Sequence, residues 1–153
     1  MLASDCMTRE VTTVSPDMHL EELVELLTIK GVSGAPVVND QGTLIGVVSL
    51  SDVAQSAVHR APHGRYADFA HDLWCAELVA DLEPVDLRLQ VEDIMNENPI
   101  DVEADSPLSE VVALILQLRV HRVIVVDQRR QVVGLISTID LVRLLPDLLT
   151  QKV

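Results

Sequence analysis

Residues 35–53, APVVNDQGTLIGVVSLSDV, return 88 positions later as residues 123–141, VIVVDQRRQVVGLISTIDL. Both stretches place β-branched runs on either side of a short polar tip, Asp40-Gln41-Gly42 in the first and Gln128–Arg130 in the second. That pattern is a hairpin signal. Each stretch then carries glycine, serine and aspartate at one spacing: Gly46, Ser49, Asp52 and Gly134, Ser137, Asp140. Working outward, residues 5–53 align with 93–141 without a gap, and fourteen pairs are identical, among them Met7/Met95, Val14/Val102 and Leu20/Leu108. The chain is therefore internally duplicated. Two copies are too few for a solenoid, so the expected arrangement is a pair packed face to face with pseudo-two-fold symmetry.

Each copy reads as β-α-β-β-α, an α/β chain of the α+β kind. Residues 11–14 form a short strand ended by Ser15-Pro16. From Leu20, apolar residues at 20, 23, 24 and 27 follow helical spacing while Glu21, Glu22 and Glu25 take the other face. The counterpart helix opens with Ser106 as N-cap and Pro107 at the first helical position. Strands follow at 35–39, 43–49, 122–127 and 131–137, with last helices starting near Ser51 and Ile139. Repeat one thus spans residues 1–58 and repeat two residues 92–153. Residues 59–91 are a connector, in which 66–80 has helical spacing and holds all three aromatics, Tyr66, Phe69 and Trp74. His59, His63 and His71 also lie there, without a shared helical spacing or a paired acid, so no metal site is expected.

The 153 residues carry a net charge of -13, with 24 acidic side chains against 11 basic ones. Such a field repels phosphate backbones and anionic bilayers, which excludes nucleic acid and membrane surfaces as partners. Cys6 and Cys75 stand far apart with no metal-ligand spacing, and are expected as ordinary thiols. No apolar run approaches the ~20 residues needed to span a bilayer. A cytoplasmic location is expected.

The doubled pattern resembles the cystathionine-beta-synthase (CBS) domain pair, or Bateman module. The matching residues are Asp5-Cys6-Met7-Thr8 and Asp93-Ile94-Met95-Asn96 at the repeat starts, Pro36-Val37-Val38 and Ile124-Val125-Val126, and the two Gly-x-x-Ser-x-x-Asp turns. The resemblance implies a regulatory, non-catalytic module. Such pairs bind adenosyl ligands (AMP, ADP, ATP, S-adenosylmethionine or NAD) in clefts between repeats, control a protein effector, and form dimers. It also implies that each cleft uses the Ser-x-x-Asp turn, the residues before the second strand and the backbone beside the first strand.

On that basis the favoured site is built on repeat two, from Ile100, Val120, His121, Arg122, Ser137, Thr138 and Asp140. A weaker site uses Thr12, Val32, Ser33, Ser49, Ser51 and Asp52. The chemistry of these positions is consistent with the role. A helix beginning after Ser137 offers N–H groups to a phosphate, a carboxylate at Asp140 can accept both ribose hydroxyls, and the glycine lets backbone approach a ligand. The alternative is a purely structural capping turn. His121-Arg122 resembles the His-Arg pair that holds nucleotide phosphate in the gamma subunit of the AMP-activated kinase, and arginine suits phosphate through two parallel hydrogen bonds. Repeat one has Ser33-Gly34 at that offset, with no cation. Residues 108–118, LSEVVALILQL, are apolar nearly all round and are expected at a homodimer interface. No catalytic cofactor or residue is expected; a ligand-free scaffold is the second reading.

Overall fold

A computed structural model of the chain describes residues 1–58 and 86–150. The helix expected over 66–80, the connector histidines and Cys75 lie outside them. The elements run α1 (Ala3–Cys6), α2 (Leu20–Lys30), β1 (Gly34–Val38), β2 (Leu44–Ser49) and α3 (Leu50–Val58) in the first half. The second half has β3 (Asp101–Glu103), α4 (Leu108–Leu118), β4 (Arg122–Val126), β5 (Val132–Ser137) and α5 (Thr138–Thr150).

The two hairpins follow from side-chain chemistry at their tips. Asn39 Oδ1 accepts hydrogen bonds from the amides of Gln41 and Thr43, both at 3.0 Å. Asp127 Oδ1 accepts from Arg129 and Gln131 at 2.8 and 2.9 Å. Each acid or amide thereby replaces the missing ladder partners of a tight turn. The left-handed position falls to Gly42 in the first tip (φ 77°) and to Arg130 in the second (φ 59°).

The expected strand over 11–14 shrinks to one parallel bridge, Val14 to Val37, whereas its counterpart forms the three-residue β3 beside β4. Two prolines supply the reason. On the N-terminal side of that bridge the Ile124 amide of repeat two donates to the Ile100 carbonyl at 3.1 Å, and its counterpart in repeat one is Pro36, which has no N–H. On the other side the ladder of repeat two is extended by the Ala104 amide donating to the Val126 carbonyl at 3.1 Å. Pro16 stands at the equivalent position in repeat one and has no N–H to give. The cap of α4 also differs by one residue from expectation. Pro107 itself occupies the N-cap, with extended backbone at φ -65°, ψ 141°, and the helix starts at Leu108.

The repeats exchange their leading segments. Ala3 is fully buried in the core of the second half, with Val111, Val123 and Ile136, and Thr8 bridges to Leu135. In return Val91 is fully buried in the first half, with Leu20, Leu23, Leu27 and Val48, and Asn96 bridges to Val47. This crossing brings Met7 over Gly134 and Met95 over Gly46. A Cβ on Gly46 would lie 2.9 Å from both the Asn96 carbonyl oxygen and Met95 Sδ. These glycines therefore admit a neighbouring methionine. The ligand approach expected of them is not their role here. A third cluster, Leu44, Ile124 and Val126, joins the two halves near the hairpin tips.

Candidate functional site

Each final helix begins where a strand ends on serine, and both junctions close on themselves in the same way. The amide and hydroxyl of Ser137 donate to Asp140 Oδ2 at 2.8 and 2.6 Å, and the Asp140 amide donates back to Ser137 Oγ at 3.3 Å. The Ser49–Asp52 turn repeats this with 2.7, 2.7 and 3.3 Å. The first helical amides are tied as well: Thr138 donates to the His121 carbonyl at 3.0 Å, and Leu50 to that of Ser33 at 2.9 Å. So the capping chemistry named as the alternative is present in both repeats. In each turn it occupies one carboxylate oxygen and the serine proton.

A cavity of about 360 Å³ opens in front of the Ser137–Asp140 turn, at the seam between the halves. That volume is at the lower end for small-molecule sites. One wall is repeat two: His121 and Arg122 at the start of β4, then Ser137, Thr138, Ile139, Asp140 and Arg143 at the start of α5. The other wall is repeat one: Thr8, Glu10, Val11, Thr12, Val32, Gly34 and Pro36. The crossed leading segment explains the mixture, because Thr8 is held against Leu135 by two backbone hydrogen bonds of 2.9 and 3.0 Å.

The expected site residues are thereby regrouped. His121, Arg122, Ser137, Thr138 and Asp140 meet as a set, but they are joined by Thr12 and Val32 from the other set. Ile100 and Val120 pack instead against the second-half core around Val123 and Ile136. They are the counterparts of Thr12 and Val32, so the same two-fold relation assigns them to the side of the Ser49–Asp52 turn. Ser33, Ser49 and Asp52 stand together at that turn, through the bonds given above, and Ser51 is exposed at the first turn of α3.

Two charged lining residues were absent from the sequence expectation, Glu10 and Arg143. Arg143 was within reach of periodicity, since it follows Asp140 by three residues on one helical face. Its guanidinium Nη1 lies 3.7 Å from Asp140 Oδ1, with the arginine side chain 76% exposed and the aspartate 14%. That separation is beyond a hydrogen bond. The Asp140 charge is also felt beneath the site: burial raises the Cys6 thiol above its ordinary pKa, and Asp140 and then Asp5 add to the rise. At the positions equivalent to His121, Arg122 and Arg143, repeat one has Ser33, Gly34 and Gln55. Among the described residues, no group of three or more His, Cys, Asp or Glu is placed to hold a metal ion. None of the described helices is long and apolar enough to cross a membrane.

The fold and its cleft define a class: an internally duplicated α+β pair with a ligand-sized cavity at the seam between repeats. The chain belongs to the CBS domain family, which matches residues 3–59 and 91–147. MJ1426 of Methanocaldococcus jannaschii is 27% identical, over 95% of this chain and 91% of its own length. MJ1232 of the same organism is 26% identical over 90% of this chain, which spans only 37% of that protein. Among solved structures, CBSX2 in complex with AMP superposes with a TM-score of 0.73 at 25% identity, covering 96% of this chain and 97% of that one. The CBS domain pair of protein MJ0100, in complex with 5-methylthioadenosine and S-adenosylmethionine, gives 0.70 at 22% identity, covering 96% and 97%. The cytosolic domain of the Mg2+ channel MgtE, in complex with ATP, gives 0.69 at 24% identity, covering 94% of this chain and 48% of that one.

Proposed function

We propose that this chain is a regulatory module that senses an adenosyl ligand, AMP, ADP or ATP, in the cleft in front of Ser137–Asp140 and thereby controls a separate protein partner. The observation that carries this is the cavity itself, which gathers two arginines, a helix N-terminus and the Asp140 carboxylate against an aliphatic wall. Arg122 and the Ile139 amide face the phosphate. Asp140 Oδ1 takes the ribose hydroxyls. Val11, Val32 and Pro36 flank the base. Further support comes from the AMP, ATP and S-adenosylmethionine held by structural neighbours of the same fold.

The cleft on the Ser49–Asp52 side, with Ser33, Ser51, Ile100 and Val120, offers the same ribose and base chemistry without a cation in its counterpart positions. It is the weaker phosphate site. The module acts by binding and not by catalysis, in the cytoplasm where these nucleotides are abundant. It works as a homodimer through α4, on which Leu116 is 72% exposed and Leu118 51%.

Titration calorimetry with AMP and ATP tests the main assignment. Arg122→Ala should weaken both by roughly ten- to a hundredfold, the worth of one or two charge-assisted bonds to phosphate. Unchanged affinity overturns it. The self-closed serine–aspartate caps favour the second reading, a scaffold with empty clefts, and thermal unfolding separates the two. A true ligand at a hundred times its Kd adds about 2.7 kcal/mol. No shift with AMP, ATP, S-adenosylmethionine or NAD would leave the scaffold.

A further inference from the structure

Arg143 lines the cavity from α5 without taking part in the capping turn. Of the acids and arginines around the cavity, Glu10 and Asp140 are matched by Arg122 and Arg143, so the cleft is formally balanced with His121 neutral. Removing Arg143 leaves it net acidic, inside a chain already at -13. Each additional phosphate on a ligand brings further negative charge into that field and calls for a further local cation. Arg122 stands at the start of β4 and Arg143 one helical turn beyond Asp140 on α5, so the two cations approach the cavity from separate elements. At 3.7 Å from Asp140 Oδ1 and 76% exposed, Arg143 is not locked into a hydrogen bond there and can turn toward a ligand.

We propose that Arg143 sets the number of phosphates this cleft prefers, selecting ADP and ATP over AMP, while Arg122 serves the phosphate common to all three. This rests on the nucleotide reading above. Gln55, at the equivalent position of repeat one, provides the natural replacement.

The test is titration calorimetry of wild type and Arg143→Gln with adenosine, AMP, ADP and ATP in buffer containing EDTA. Replacement should weaken ATP by about tenfold and AMP by less than about twofold, with adenosine unchanged, as expected for loss of one charge-assisted contact to a distal phosphate. Arg143→Lys should restore most of the ATP preference, because it keeps the charge without the fork. Equal losses for AMP and ATP, or no loss for either, overturn the role of Arg143 and leave nucleotide binding standing. Wild-type protein that binds none of the four compounds overturns both.

Discussion

The two halves of this molecule share a scaffold and differ at its rim. Both hairpins turn on an Asn or Asp side chain, and both final helices are capped by a serine–aspartate pair with nearly the same three distances. Each half also packs a half-buried methionine from the other against its glycine. Yet at three matched positions on the cleft wall, Ser33, Gly34 and Gln55 in one half stand against His121, Arg122 and Arg143 in the other. The helices before the second strand diverge as well: α2 carries Glu21, Glu22 and Glu25 on its exposed side beside a single exposed large apolar residue, Ile29, whereas α4 exposes Val112, Leu116 and Leu118. Local turn and cap chemistry builds the scaffold, so it must be present twice. Charge at the rim and apolarity on the outer helix are free of that constraint, and one half can specialise in binding and association.

The largest effect that could break this comparison concerns α4. If repeat two supplies the dimer contact, Leu116→Glu should convert a dimer into a monomer in light scattering, while the equivalent Thr28→Glu on α2 leaves the mass unchanged. A wild-type monomer, or a dimer indifferent to Leu116→Glu, removes assembly from the differences between the halves.

The crossed methionines come next. Alanine at Gly46 would press on the Asn96 carbonyl and Met95, and alanine at Gly134 on Met7. Overpacking of this kind costs about 1–3 kcal/mol. Chemical denaturation should show a loss at both sites, larger at Gly46, where backbone must yield as well as a side chain. Equal stability of either variant with wild type would mean that the crossing is looser in that half.

A smaller asymmetry lies at the ends of α2 and α4. Gly31 and Arg119 both hold left-handed backbone, at φ 64° and 54°. Arg119→Gly should stabilise the protein by up to about 1 kcal/mol, and Gly31→Ala should destabilise it by a similar amount, since only glycine adopts this region without a Cβ penalty. Thermal unfolding checks both. A destabilised Arg119→Gly would show that the arginine side chain has a compensating role at that cap.

Much of the fold is legible in the sequence. Helix α4 matches residues 108–118, because the 88-residue offset makes them the counterpart of the helically spaced residues from Leu20. The hairpins are legible from β-branched runs around polar tips, and the final helices from the serine–aspartate spacing. The short first strand of repeat one is not. Its length depends on donors missing at Pro36 and Pro16 and on what those donors would have met across the sheet. The helix cap at Ser106-Pro107 moved by one residue, because the chain enters α4 in extended backbone held by other contacts. In the cleft, residue types are legible while their grouping is not: the sequence pairs Thr12 and Val32 with the turn of their own repeat, and the structure places them opposite Ser137 and Asp140.

The sequence by itself determined the duplication, the β-α-β-β-α order, the spacing of serine and aspartate at the two strand ends and the unequal charge of the two cleft rims. All of these depend on residues close in the chain or on a constant offset between copies. Only the tertiary structure decided that residues 1–8 pack on the second half and 89–96 on the first. That crossing faces the Ser137–Asp140 turn with the wall of repeat one, and brings Arg143 and Glu10 to the same cavity. The physical reason is that backbone hydrogen bonds and half-buried methionines join segments that no local pattern connects.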